Sequence, residues 1–391
     1  MSSLFDAEGV RRFLTGDVVD RLGAPLAEAR GLPNATFTSE EFFALERRLL
    51  FGRSWVFAGR AGAMPDAGDL RPVEVAGRSI LLVRGRDGAI RAFHNVCPHR
   101  GARLLEEDQD GRAMVTCPYH AWTYSLEGDL KARPHFHRPD CHDQAGDANV
   151  ALFPVRCVTW HDWVFVDLGG KAEPFEDFIA PVEAWFDGFD LSAARCASHR
   201  AWEFDCNWKL AVENYCDFYH VFMVHPALHQ VMGKEARKAM LCRGRHLMNE
   251  YWLESNRGGA GDKSGVGMPF FPALSQANQN RSCYTALFPN VAINVYPTNA
   301  QFVLFEPLSA ARTRMHMWFY YIGDAASDPA HAATRDNVVE EWHKLNMEDE
   351  GICRAIQAGR GCDAYDGGRL APYWDTGTLH FHRQVVETMT A

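Results

Sequence analysis

Short apolar runs bounded by turn residues recur from about residue 54 to 165, which predicts short strands. Residues 79–85 form an apolar run that ends in a turn at Asp87 and Gly88, and residues 89–96 lead back from it. Residues 114–117 and 121–125 repeat this pattern around a second loop, closed by a turn at Glu127, Gly128 and Asp129. Acidic and glycine residues between apolar runs mark hairpins. Before this region, residues 1–50 read as helical. There Thr38, Ser39, Glu40 and Glu41 supply a cap and first-turn acids ahead of Phe42, Phe43, Leu45, Leu49 and Leu50.

From about residue 170 onward the pattern is mixed. Residues 291–296, 301–305 and 312–322 read as three strands of an antiparallel sheet. In the last of them Met315, Met317, Phe319 and Tyr321 alternate with Arg314, His316, Trp318 and Tyr320. Helical patterns over 203–226 and 335–358 bracket that sheet. The expected class is α+β with three parts, a helical segment over 1–50, a strand-rich domain over 51–168 and a mixed domain over 169–391.

Composition changes this picture little. The 391 residues are 47% hydrophobic and 23% charged, an ordinary globular balance. No window approaches twenty uninterrupted apolar residues, so no membrane span is expected. A net charge of −10 argues against a general nucleic-acid partner. The first residues lack the charged and apolar regions of a secretory signal. Eleven cysteines without a disulfide rhythm fit a reducing cytoplasm. Cys206, Cys216, Cys283 and Cys353 sit in apolar sequence and read as small buried hydrophobes.

Chemistry enters with Cys97-Pro98-His99 and, after seventeen intervening residues, Cys117-Pro118-Tyr119-His120. Each loop offers one thiolate and one imidazole. Two sulfurs on one iron and two imidazoles on the other are the ligands of a Rieske [2Fe–2S] centre. The competing reading is a structural zinc site, which Cys₂His₂ also suits. Zinc modules, however, usually group cysteine with cysteine and histidine with histidine.

A second candidate lies between Asn207 and Pro226. On a helix Glu213, Asp217 and His220 fall near one face, whereas His225 would be turned away. Pro226 suggests a break or bulge there that returns His225 to the same metal. The third ligand is sought on an apolar stripe formed by residues 342, 345, 349, 352 and 356, whose middle is Asp349. Glu348 and Glu350 lie off this line and read as solvent-facing. His220, His225 and Asp349 would make a two-histidine, one-carboxylate facial triad for Fe(II) and O₂. The alternatives are satisfied core polar groups and, for Asp349, a buried salt bridge to an arginine.

With both motifs in hand, the chain resembles the catalytic α subunit of Rieske non-haem iron oxygenases from about residue 35 to its end. The shared features include Arg100-Gly101, Ala121-Trp122, Asn207-Trp208-Lys209, Glu213-Asn214 and His225-Pro226. The resemblance implies an all-β Rieske domain beside a helix-grip catalytic domain with an antiparallel sheet, assembled as a homotrimer. It implies that Asp217 bridges His220 to His120 of a neighbouring subunit. It also implies a separate reductase, with or without a ferredoxin, that passes electrons from NAD(P)H. Residues 364–372 and 380–383, with Glu348, Asp349, Gly351, Ile352 and Cys353, look like the choline, betaine and carnitine monooxygenase branch.

The expected activity is therefore hydroxylation or N-demethylation, with O₂, of a small quaternary or tertiary amine. Alternatives are a dioxygenase or O-demethylase acting on an aromatic acid or aryl ether, and a Rieske electron carrier with a non-catalytic binding domain. Trp208, Tyr215, Phe218, Phe222 and Trp318 are candidates for caging an ammonium group, although large aromatics are ordinarily core. Gly259, Gly261, Lys263 and Ser264 mimic a phosphate loop, but Asp262 replaces the glycine needed before the lysine. That stretch reads as a mobile loop near the pocket mouth. His135, His137 and His316 have no partner at ligand spacing.

Overall fold

The structure is a computed structural model that describes residues 2–144, 150–232, 238–252 and 267–391. The glycine-rich stretch from Gly259 to Ser264 lies outside the described residues. The chain divides into two compact units, one formed by Phe51–Phe175 and the other by Met1–Leu50 with Glu176–Ala391.

The Phe51–Phe175 unit is built on antiparallel sheets. Its larger sheet orders the strands Trp55–Arg60, Trp163–Asp167, Pro154–Trp160, Ile90–His94, Arg78–Arg84 and Leu70–Val75. A smaller sheet joins Val115–Thr116, Thr123–Tyr124, Leu130–Pro134 and His142–Asp143. Gly88 takes φ +78° at the turn expected after Asp87, a conformation that glycine adopts without Cβ strain. The two loops with paired Cys and His leave these sheets by the same device. Cys97 N–H donates to Ala102 O at 2.8 Å and Cys117 N–H to Trp122 O at 2.8 Å. Four residues past each cysteine, the N–H of Gly101 or Ala121 donates back to the cysteine carbonyl. Both residues have positive φ, +73° and +55°. Glycine does this freely, whereas Ala121 carries a Cβ into the left-handed region.

In the other unit, the described residues form a seven-stranded antiparallel sheet. Its order is Ala194–Phe204, Arg312–Ile322, Asn299–Ser309, Val291–Tyr296, Arg281–Leu287, His246–Trp252 and Leu241–Arg243. The three strands expected from the alternation are its centre. The alternation in the Arg312–Ile322 strand is a true two-sided pattern only at first, since Tyr320 and Tyr321 are both buried. The helix expected over 203–226 is instead three short helices, Trp208–Cys216, Val221–Val224 and Pro226–Met232, and the strand before them runs on to Phe204. The later helix is continuous over Ala332–Gly359. In the N-terminal segment Ser39 caps the Glu40–Leu45 helix, its side chain accepting from Phe42 N–H at 3.2 Å.

A buried ion pair ties that N-terminal segment to the Trp208–Cys216 helix. Lys209 Nζ lies 2.6 Å from Glu46 Oε1, and both side chains are 0% exposed. Trp208 Nε1 donates to Glu46 Oε2 at 3.2 Å. Burial pushes the Lys209 amine down and the Glu46 carboxyl up, and each partner opposes the other's loss of charge. Removing one member strands the other charge. Lys209→Met should therefore destabilise this unit by about 3–5 kcal/mol in urea denaturation. Glu46→Gln/Lys209→Met should recover most of the loss; equal stability of the single variant and the parent would contradict the pairing.

Candidate metal centres

Cys97 and Cys117 are buried and unbridged in the core of the Phe51–Phe175 unit, beside Trp122 and Tyr124. Burial is the main reason that Cys97 holds its proton above the ordinary thiol range, and the neighbouring Cys117 side chain adds to the effect. Tyr124 Oη lies 3.4 Å from Cys97 Sγ. Burial, then the nearby thiols, raise this phenol well above its usual pKa, which keeps it a donor to sulfur. The histidines complete the group. The rings of His99 and His120 are 4.7 Å apart, and His99 stacks on Trp122 at 4.5 Å and 3°. His120 Nδ1 is buried without a hydrogen-bond partner. A buried imidazole nitrogen with no hydrogen-bond partner, beside a second imidazole and on a loop that also carries a buried thiol, fits a metal cluster better than an empty core.

The second centre follows from a break in the helix. Asp217, at φ −98° and ψ 111°, ends the Trp208–Cys216 helix. Its carboxylate accepts from the backbone N–H of Tyr219 at 2.6 Å and of His220 at 3.3 Å. This local bonding competes with helix continuation. His225, at φ −119° and ψ 69°, makes the second break, as Pro226 excludes the α conformation from the residue before it. The two turns bring the imidazoles to 5.1 Å between centroids.

Asp349 arrives from the long helix. Its Oδ1 lies 2.9 Å from His225 Nε2 and 3.5 Å from His220 Nε2. Ligand atoms of His220, His225 and Asp349 all lie within 4.8 Å of one another. No arginine pairs with Asp349 among the described residues; Asn214 Nδ2 donates to its Oδ1 at 2.7 Å instead. Glu213, expected on the same face, turns away and pairs with His382 Nε2 at 2.8 Å. Asp217 Oδ2 is 3.3 Å from His220 Nδ1.

Two expectations need correction. Glu348 is not merely a solvent-facing charge, because its Oε2 accepts from His225 Nδ1 at 2.6 Å. Each histidine thus has one carboxylate at Nδ1 and Asp349 at Nε2. The stripe that buries Asp349 also differs. Its buried residues are Val338, Trp342, Asn346 and Cys353, whereas Ile356 is 38% exposed.

The aromatic candidates separate. Trp208 is wholly buried core. Trp318 stacks with His199 and His316, and His316 is bonded to Glu306 at 3.0 Å. Phe222 is exposed. It packs at 5.8 Å on Tyr219, which stacks on Trp374, whereas Tyr215 and Phe218 join a buried aromatic group, packing on Tyr284 at 6.1 and 5.5 Å.

The description "Ring hydroxylating alpha subunit (catalytic domain)" matches residues 192–391, and "Rieske [2Fe-2S] domain" matches residues 54–154. The chain belongs to the ring-hydroxylating alpha-subunit family. It is an oxidoreductase of the Rieske oxygenase class, with a [2Fe–2S] cluster and a mononuclear iron as its cofactors. The carnitine monooxygenase oxygenase subunit of Escherichia coli (strain K12) is 28% identical over 380 residues, covering 92% of this chain and 94% of that protein. The chloroplastic choline monooxygenase of Arabidopsis thaliana is 26% identical over 372 residues, covering 92% and 82%. The crystal structure of the quaternary ammonium Rieske monooxygenase CntA with an inhibitor shares the fold. Its TM-score is 0.77 at 23% identity, over 94% of this chain and 98% of that one.

The metal-free geometry has a pH consequence. Burial disfavours the His220 imidazolium, yet hydrogen bonds to Asp217 and Asp349 outweigh this and push its pKa up to about 9. His225 is raised in the same way. For Asp349, burial is outweighed by the two imidazoles, which hold it down at about 2. Below about pH 9 an incoming metal must therefore displace protons. Fe(II) affinity should rise about tenfold per pH unit for each proton released, and the slope should flatten above the His220 pKa. In the same calorimetric titrations Glu348→Ala should bind Fe(II) about 10- to 100-fold more weakly. A pH-independent affinity, or an unaltered variant, would contradict these roles.

Proposed function

We propose that Cys97, His99, Cys117 and His120 hold the [2Fe–2S] cluster and that His220, His225 and Asp349 hold the mononuclear iron of a terminal oxygenase component. The observation that carries this reading is the convergence of two imidazoles and one half-buried carboxylate on a single point, with a carboxylate behind each imidazole. Iron held by these three residues would supply O₂ activation. Glu348 and Asp217 fix the Nδ1–H tautomers, so that both Nε2 atoms face the metal. Asn214 holds the Asp349 carboxylate in place.

Electrons come from NAD(P)H through a separate reductase, with or without a ferredoxin. Asp217 bridges His220 to His120 of a neighbouring subunit in a homotrimer. Exposed apolar side chains beside both partners support a face that another subunit covers. Tyr219, Phe222 and Met223 follow Asp217, and Tyr119 precedes His120. The protein is cytoplasmic; no described helix is long and apolar enough to cross a membrane.

The substrate is a small quaternary or tertiary amine, which the enzyme hydroxylates or N-demethylates. Two things support this, the relatives that act on carnitine and choline and the aromatic group around Tyr215, Phe218 and Tyr284. Aromatic faces attract such cations. With a reductase and NADH, O₂ consumption coupled to product should appear with trimethylammonium compounds. Product-coupled turnover confined to aromatic acids or aryl ethers would overturn the amine assignment.

A further inference from the structure

A cation, an indole and an imidazole follow one another behind the Cys97 and Cys117 loops. Trp122 immediately precedes the Thr123–Tyr124 strand, and Arg133 and Asp143 are register partners on the next two strands of the smaller sheet. Register partners project to the same side of a sheet. The His99 ring lies flat on Trp122, at 4.5 Å and 3°. The Arg133 guanidinium lies 5.7 Å from the Trp122 ring and 4.1 Å from that of Phe136. Phe136 meets Trp122 edge-on at 5.6 Å. Trp122 is 5% exposed and keeps water out of the gap between the cation and the imidazole.

Asp143 fixes the guanidinium in this place. Arg133 Nε donates to Asp143 Oδ2 at 2.7 Å, and Nη2 pairs with the same oxygen. The two side chains are 14% and 19% exposed, against 71% and 74% for the nearby Arg138 and Asp140 pair. Charges so far out of water are screened less and act over a longer distance. Two other titratable or charged groups lie close. His137 Nε2 is 3.7 Å from Asp143 on an exposed side chain, and the exposed Arg100 lies over Tyr119.

We propose that Arg133 and Asp143 are an electrostatic pair that sets the reduction potential of the cluster, acting across Trp122 on the His99 side. The inference rests on the reading of His99 as a cluster ligand and adds to it what poises the centre. Reduction brings one electron to the cluster. A guanidinium behind a ligand imidazole favours that electron, and a carboxylate opposes it. The pair holds both charges at one place, so the two effects nearly offset and each is exposed by removing the other. Arg133 and Asp143 are therefore positioning residues, with opposite signs.

Redox titration of the holoenzyme cluster at fixed pH, followed by visible absorption, tests this. The equilibrium should move about tenfold toward the oxidised cluster in Arg133→Met and about tenfold toward the reduced cluster in Asp143→Asn. For a one-electron couple each shift is about 59 mV. Arg133→Lys and Arg133→Met/Asp143→Asn should stay within about threefold of the parent. Shifts in the same direction in both single variants would overturn the proposal. So would a double variant that moves as far as Arg133→Met, which is what a purely structural role in seating Trp122 gives. No shift in either single variant would overturn it as well. His137→Arg, at an exposed position, adds a cation beside Asp143 and should move the equilibrium about twofold toward the reduced cluster. An unaltered potential there, with the cluster lost from both single variants, would also count against the pair. Absence of a Rieske absorption spectrum from the parent would overturn the cluster reading itself.

Discussion

One half-buried carboxylate between two imidazoles organises the Met1–Leu50 and Glu176–Ala391 unit. Asp349 sits on the inner face of a 28-residue helix, where an isolated negative charge would be costly. Its oxygen faces His225 at 2.9 Å and His220 at 3.5 Å, and Asn214 supports it. To deliver both histidines the chain gives up a regular helix twice, at Asp217 and at His225. The Lys209 and Glu46 pair, wholly buried, holds the preceding helix where Asn214 can reach. Without metal these groups form a proton-sharing cluster, and on the proposed reading the same atoms would hold the iron while the outer carboxylates Asp217 and Glu348 keep their bonds. The site is thus preorganised by groups that do not touch the iron.

The Phe51–Phe175 unit solves a related problem with loops. Two hairpin ends repeat one hydrogen-bond scheme so that a thiol points inward and an imidazole lies nearer the surface. Burial protonates Cys97 in the metal-free state, and the Tyr124 hydroxyl lies 3.4 Å from its sulfur. A hydrogen bond to a ligand sulfur is one of the ways in which a protein sets a cluster's potential. Ala121 in the left-handed region shows that the second loop accepts strain to match the first.

Much of this was legible because the candidate ligands are local in sequence. The pairs Cys97 with His99 and Cys117 with His120 each lie within one loop, and turn residues mark the strands around them. Pro226 gave away the distortion at His225. What escaped was set by tertiary contact. Glu348 looks like any exposed acid until His225, 123 residues away, is placed against it. The buried line on the long helix runs through Asn346 and Cys353, and an apolar count skips Asn346 in favour of Leu345 and Ile356. The Ala194–Phe204 strand lacks a clean alternation because most of its residues are only partly buried or exposed.

The central claim is that His220, His225 and Asp349 hold iron independently of the cluster. Iron content of the parent and of Asp349→Ala, read together with the visible absorption of the [2Fe–2S] centre, tests it most directly. The account predicts about three irons per chain in the parent and about two in the variant, with the cluster spectrum unaltered. Three irons retained in Asp349→Ala, or two in the parent with an intact cluster, would contradict it.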